Sequence, residues 1–278
     1  ARRAPHARRS TAASPFDTGW MAPPRVLGGA QARADVAEGS DRFAAFHISC
    51  PLRPDLLQQT EFTLQEVEML AQQVEAREDA EVSPKAVVSI DMDGETEEGL
   101  LVHSTYGQGP LSAPGARGQL EAHVELWRRC SAGSQPYLVL EDGLKMWPRM
   151  GQIVTHLCCT VERTMPAEER TLVLFLGGMW QPTDFTEHWL PTDMAHPASG
   201  GKAGDKITLH EVSCVSSATY CYLVWPLAAK RLLANLPISK PLDSFMTEQF
   251  KAERLRALVV QPTTLAVQVL DQYVPVGA

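Results

Sequence analysis

The sequence predicts an α/β fold: a mostly parallel central sheet flanked by helices. Three observations predict it. Short apolar runs alternate with amphipathic patterns over roughly 200 residues, the rhythm of β-α units. The runs are continuous rather than alternating, as in "PYLVL", which suits strands covered on both faces. Acidic residues and glycine follow directly after two of the runs, where the carboxyl ends of parallel strands gather ligands.

Residues 1–38 are rich in Ala, Arg, Pro, Ser and Gly and have few acids to balance Arg2, Arg3, Arg8, Arg9, Arg25 and Arg33. Such a composition buries too little apolar surface to offset its ordering entropy, so a disordered leader is expected there and a folded domain over 39–278. A basic arm or the end of a targeting sequence is the functional alternative. "RFAAFHISC" reads as the first strand and "PLRPDLL" as a turn. "TLQEVEMLAQQVEAREDAE" places Leu64, Val67, Leu70, Ala71 and Val74 at helical spacing with acid on the other face, and a helix is expected there. "KAVVSIDMDGETEEGLL" reads as a second strand and an acidic turn.

"PGARGQLEAHVELWRRC" reads as a helix with Leu120, His123, Val124 and Trp127 along one side, and "PYLVLEDG" as the third strand. "MGQIVTHLCCTVERTM" is a helix and "RTLVLFLGG" a fourth strand ending in glycine. Four prolines or glycine pairs make Gln181 to Asp205 read as a long loop, the kind of segment that often holds substrate. "KITLHEVSCVSSATYCYLV" supplies two short strands. "PLAAKRLLANL" is an amphipathic helix whose Pro226 fits the first turn, and a last short apolar stretch follows "VVQP".

A formal charge of -8 and a pI near 5.5 argue against nucleic acid as the main partner, because phosphate binding needs clustered Lys and Arg. No apolar run approaches the roughly 20 residues that a membrane-crossing helix takes, so no transmembrane segment is expected. Six scattered cysteines show no zinc spacing and fit disulfides or buried thiols equally.

Two acidic clusters sit where a hard divalent cation and a phosphate could meet. Asp91 and Asp93 have the alternate spacing that puts both carboxylates on one side of an extended segment; Glu141 and Asp142 are neighbours that point apart unless the chain bends. The bland reading of both is a solvated turn. His123, on the apolar side of its helix, reads as a core or supporting histidine or as a site residue. No GxSxG, HExxH or phosphate-loop pattern occurs.

Taken in order, several stretches resemble the glycosyltransferase family 25 enzymes, the bacterial lipooligosaccharide glycosyltransferases and collagen galactosyltransferases. Pro114, Gly115, Gly118, His123 and Trp127 match the family's helix, "EDG" its Glu-Asp-Asp strand end, and "FLGG" a later strand end. Tyr220, Tyr222, Ala229, Leu232, Leu233, Pro237, Pro241 and Asp243 match its tyrosine-rich strand, helix and proline-x-Asp element, and "FHISCPLRPDLL" its opening strand and arginine turn. The resemblance spans about residues 43 to 250 and rests on the order and spacing of these motifs. It departs at Gly143, where the family has a metal-binding aspartate, at Ala122, and at Gln119.

The resemblance implies a GT-A-like fold and transfer of a hexose, galactose first, from a UDP-sugar to a glycan or glycoprotein acceptor, with inversion. It implies manganese held by Glu141 and Asp142, donor contacts from Arg53, Asp93, His123, Glu141, Asp142 and Tyr220, and Asp243 as base with Glu211 behind it. It places the protein in the secretory pathway of a eukaryote, or in the cytoplasm or at the membrane periphery of a bacterium. The alternatives are a non-catalytic relative that binds nucleotide sugar or carbohydrate, suggested by Gly143, and a metal-dependent hydrolase using the same carboxylates.

Overall fold

A computed structural model describes residues 42–50, 54–77, 85, 116–178, 180, 184–195, 206–215, 219–261 and 265–268. The expected leader, the "VVSIDMDG" strand with Asp93, and Arg53 lie outside the described residues.

The chain is α/β, as expected. Strand β1 (Ala44–Ser49) leads to helix α1 (Pro54–Glu66) and strand β2 (Gln72–Glu75). Helix α2 (Ala116–Ala132), strands β3 (Tyr137–Leu140) and β4 (Leu144–Met146), helix α3 (Met150–Thr164) and strand β5 (Leu172–Phe175) follow. Then come β6 (Phe185–Ala195), β7 (Lys206–Val212) and β8 (Cys221–Val224). Helices α4 (Pro226–Leu233) and α5 (Leu242–Lys251) precede β9 (Arg256–Gln261) and β10 (Ala266–Gln268).

Eight strands form one sheet in the order β2-β1-β3-β8-β5-β9-β7-β6, and β10 pairs with β4 beside it. Strands β2, β1, β3, β5, β9 and β6 point one way; β8 and β7 run against them. The predominantly parallel character therefore holds for direction, but the sheet is mixed, because β8 is inserted between β3 and β5 and opposes both.

Alternation along each strand divides the core in two. Phe46, Ile48, Val139, Val173, Phe175, Tyr222 and Val224 face Leu120, Val124 and Trp127 of α2, Leu232 of α4 and Phe245 of α5. Ala45, Leu138, Leu140, Leu172, Leu174, Cys221 and Leu223 face Leu64 of α1 and Ile153, Val154 and Leu157 of α3. Burial on both faces explains why "YLVL", "LVLF" and "CYLV" carry no polar alternation.

Two expectations need correction. The helix expected from residue 63 onward lies earlier: α1 begins at Pro54, inside the expected turn, and ends at Glu66. Its buried stripe is Leu56, Thr60, Thr63 and Leu64, and two threonines in that stripe disguise it as polar. Beyond it the left-handed Glu68 (φ 53°) breaks the helix, Leu70 stands exposed, and Gln72 to Glu75 pair in parallel with β1. The second correction is β6, which occupies much of the expected long loop. Its Pro191 is tolerated because β6 is the outer strand of the sheet, where a missing N–H costs no central ladder bond. Among the described residues no helix is long and apolar enough to cross a membrane, and none of the six cysteines is joined in a disulfide.

Candidate functional site

Glu141 and Asp142 lie immediately past the carboxyl end of β3, and both are wholly buried. Because consecutive residues of an extended chain face opposite sides of the sheet, the two carboxylates diverge, and each meets a histidine.

Asp142 turns to the side of α1 and α3. Its Oδ1 lies 2.6 Å from His47 Nε2, and its Oδ2 accepts the Cys50 amide N–H at 2.7 Å. His47 is on β1 and Cys50 directly follows it, and the parallel register sets His47 opposite Leu140 and so brings the end of β1 level with the end of β3. His47 is itself buried.

Glu141 turns to the side of α2. Its Oε1 lies 3.1 Å from His123 Nε2, His123 Nδ1 lies 2.9 Å from the Tyr222 hydroxyl, and Trp127 Nε1–H donates to that hydroxyl at 3.1 Å. Trp127 can only donate, so the Tyr222 oxygen accepts from it and has its own hydrogen left to give to His123 Nδ1. His123 then carries its proton on Nε2 and donates it to the Glu141 carboxylate. His123 and Trp127 are i and i+4 on α2, which aligns them on one face. Burial holds the Tyr222 phenol well above its ordinary pKa, so it stays a donor.

Gly143 closes the strand end. It sits at φ 74°, in the left-handed region that a side chain enters at a cost of about 1–2 kcal/mol. Its N–H donates to Thr60 Oγ1 at 2.8 Å, and Thr63 Oγ1 donates to the Leu144 carbonyl at 2.8 Å. The two threonines that conceal α1 in the sequence thus pin the β3–β4 turn.

Tyr220 joins the same edge from β8: its carbonyl accepts the Glu141 N–H at 2.9 Å, and its hydroxyl packs beside Gly177 at the end of β5. Burial pushes its phenol pKa up as well. A Cβ on Gly177 would stand 2.1 Å from the Ala266 carbonyl oxygen and 2.9 Å from the Tyr220 hydroxyl, so only glycine allows β10 to close over this corner.

The two proposed bases part company. Asp243 lies in the first turn of α5, 8% exposed, with Oδ1 accepting the Ser244 N–H at 2.8 Å. Glu211 lies on β7, four strands from β3, or roughly 19 Å at about 4.8 Å per strand. Arg256 grips both of its oxygens at 3.2 Å. The structure therefore does not bring Glu211 to the acidic pair.

The donor set fits a divalent cation poorly. Manganese takes about six oxygen or nitrogen ligands. Both Asp142 oxygens and one Glu141 oxygen are already engaged, Gly143 offers no side chain, and only Glu141 Oε2 has no hydrogen-bond partner among the described residues. Among the described residues no three His, Cys, Asp or Glu side chains gather as a metal site would require.

Sequence reasoning selected Glu141, Asp142, His123 and Tyr220 but missed His47, Cys50, Thr60, Tyr222 and Trp127 as their partners. For His47 a signal existed: an ionisable residue inside the mostly apolar "AAFHIS", near the end of a strand, one strand from an acidic strand end. Comparison of the chain with protein-family models and with curated proteins finds no match.

Proposed function

We propose that the chain is a relative of the family 25 glycosyltransferases that takes a UDP-hexose at the carboxyl edge of its GT-A-like sheet. The observation that carries this reading is the position of the Glu141–Asp142 pair at the end of a central parallel-direction strand, with Tyr220 and Gly177 beside it. In transfer with inversion, an acceptor hydroxyl on a glycan or glycoprotein forms the new bond to the anomeric carbon as the bond to UDP breaks. Its proton passes to a carboxylate base. Asp243 is the better candidate, because Glu211 is held by Arg256 far along the sheet.

A specific observation favours the second reading, a relative that binds nucleotide sugar without metal-driven transfer. The acidic pair is spent on internal hydrogen bonds, so charge developing on departing UDP lacks a cation at that point. Lys145, exposed on β4, is the nearest cation in sequence to the pair and would screen a diphosphate only partly.

The test is UDP release from a panel of UDP-hexoses, with and without acceptor and manganese. Acceptor-stimulated release supports the transferase. Binding of UDP-hexose with no release supports the second reading, and absence of binding to every donor rejects both.

A further inference from the structure

We infer that Gln119 and Glu141 read a hydroxyl group of the hexose, the amide as donor and the carboxylate as acceptor. Glu141 is wholly buried; His123 holds its Oε1, and its Oε2 has no hydrogen-bond partner among the described residues. Gln119 is 5% exposed, and its Nε2 is buried without a partner in the same way. Folded chains keep few such atoms, because each costs free energy until a bound group completes its hydrogen bonding. The two are of opposite sense: an ionised carboxylate only accepts, and an amide N–H2 only donates. One hydroxyl satisfies both, giving its hydrogen to Glu141 and accepting from Gln119, whereas a phosphate oxygen suits Gln119 alone and an ammonium group Glu141 alone.

Packing of α2 along β3 and β8 brings the two groups to one place. Trp127 meets Tyr222, which pairs with Val139, and His123, one turn earlier on α2, meets Glu141, two residues later on the chain of β3. Four helical residues and two strand residues each advance about 6–7 Å, so α2 runs back along β3 in step with it. Gln119, a further four residues back, therefore lies beyond the end of β3 on the face of α2 that carries His123. Its side chain leans toward the first turn of α2, out over the carboxyl edge. On the β8 side of that edge Thr219 is 1% exposed, with Oγ1 also unpartnered among the described residues, and the next residue, Tyr220, accepts the Glu141 N–H. Gln119 is also a position where the sequence departs from the family it resembles, which makes the contact this chain's own.

The inference rests on the reading of this edge as a donor site. Binding of a panel of UDP-hexoses to the whole chain is measured by titration calorimetry, and the tightest of them is compared with its monodeoxy analogues. In the wild type one analogue should bind at least about tenfold more weakly than the parent, as the loss of a hydrogen bond to a charged group requires. Gln119→Leu and Glu141→Gln should each weaken binding of the parent severalfold and shrink its advantage over that analogue. Gln119→Leu should unfold at an equal or higher urea midpoint, because it removes an unpartnered buried amide. A clearly lower midpoint assigns Gln119 a structural role and overturns the inference, and so does unchanged affinity in the folded variant. Parent and analogues bound by the wild type within about twofold overturn it as well, since the two groups then hold only a water. That comparison needs no variant, so it decides even where a substitution prevents folding. Binding of no UDP-hexose rejects the donor-site reading and the inference with it, whereas binding without discrimination rejects the inference alone.

Discussion

Replacing His123 with alanine cuts the chain of hydrogen bonds that runs from Trp127 to Glu141. The change leaves both Glu141 oxygens unpartnered among the described residues at a wholly buried position, and the Tyr222 hydroxyl without an acceptor. Leaving the buried Glu141 oxygen without the donor it has in His123 costs about 1–3 kcal/mol or more, since that oxygen belongs to a charged group. The stranded phenol hydrogen adds about 1–3 kcal/mol if nothing relaxes. Relaxation around the site offsets part of this, so the net expectation is about 2–5 kcal/mol, a large share of the roughly 5–15 kcal/mol that holds a domain folded. Equilibrium urea unfolding reads it as a fall in midpoint at unchanged slope. Glu141→Gln, which keeps an acceptor for His123, should cost far less, and the double-mutant cycle should show a coupling of about 1–3 kcal/mol. A loss below about 1 kcal/mol, or a coupling near zero, would refute the claim that His123 and Glu141 depend on each other.

Three other outcomes follow from the same packing. Gly177→Ala should detach β10, because its Cβ would meet the Ala266 carbonyl at 2.1 Å; hydrogen exchange at Ala266 should quicken and stability should fall by about 1–3 kcal/mol or more. Burial pushes Cys130 up to about 12 and raises Cys158, Cys221 and Tyr222 as well. These groups keep their protons in the folded chain after the unfolded chain has lost them. Their contribution is therefore complete below the ordinary values, 9.0 for the thiols and 10.0 for the tyrosine, and is lost as pH rises above them, by about 1.4 kcal/mol per pH unit for each group past its own value, which a melting series from about pH 8 to 10.5 would show. Gly143→Asp should fold with a loss of about 1–2 kcal/mol from its left-handed backbone, read as a lower urea midpoint.

Much of the fold was legible because strands covered on both faces must be apolar throughout, and "YLVL", "LVLF" and "CYLV" announce themselves. Helix α1 was not, because Thr60 and Thr63 count as polar in a hydrophobic pattern although their hydroxyls are satisfied by the carbonyls of Leu56, Gln59 and Leu144. Strand β6 was hidden by Pro191, which an outer strand accepts. The reversed strand β8 was visible as a strand but not as reversed, since direction is set by where the preceding chain returns. At the site, the pattern "EDG" located the strand end and the alternation rule gave the divergence of its carboxylates. The histidines that receive them come from β1 and α2, 95 and 18 residues away in sequence, and only the folded sheet brings them there.

The most direct test of the central claim, that this strand end handles a nucleotide sugar without a metal held by its acidic pair, is equilibrium binding of UDP to the wild-type chain in manganese and in a chelator. Equal affinity in the two conditions, unchanged by Asp142→Asn in a folded variant, is the predicted result. Binding that appears only with manganese and disappears with Asp142→Asn would contradict it.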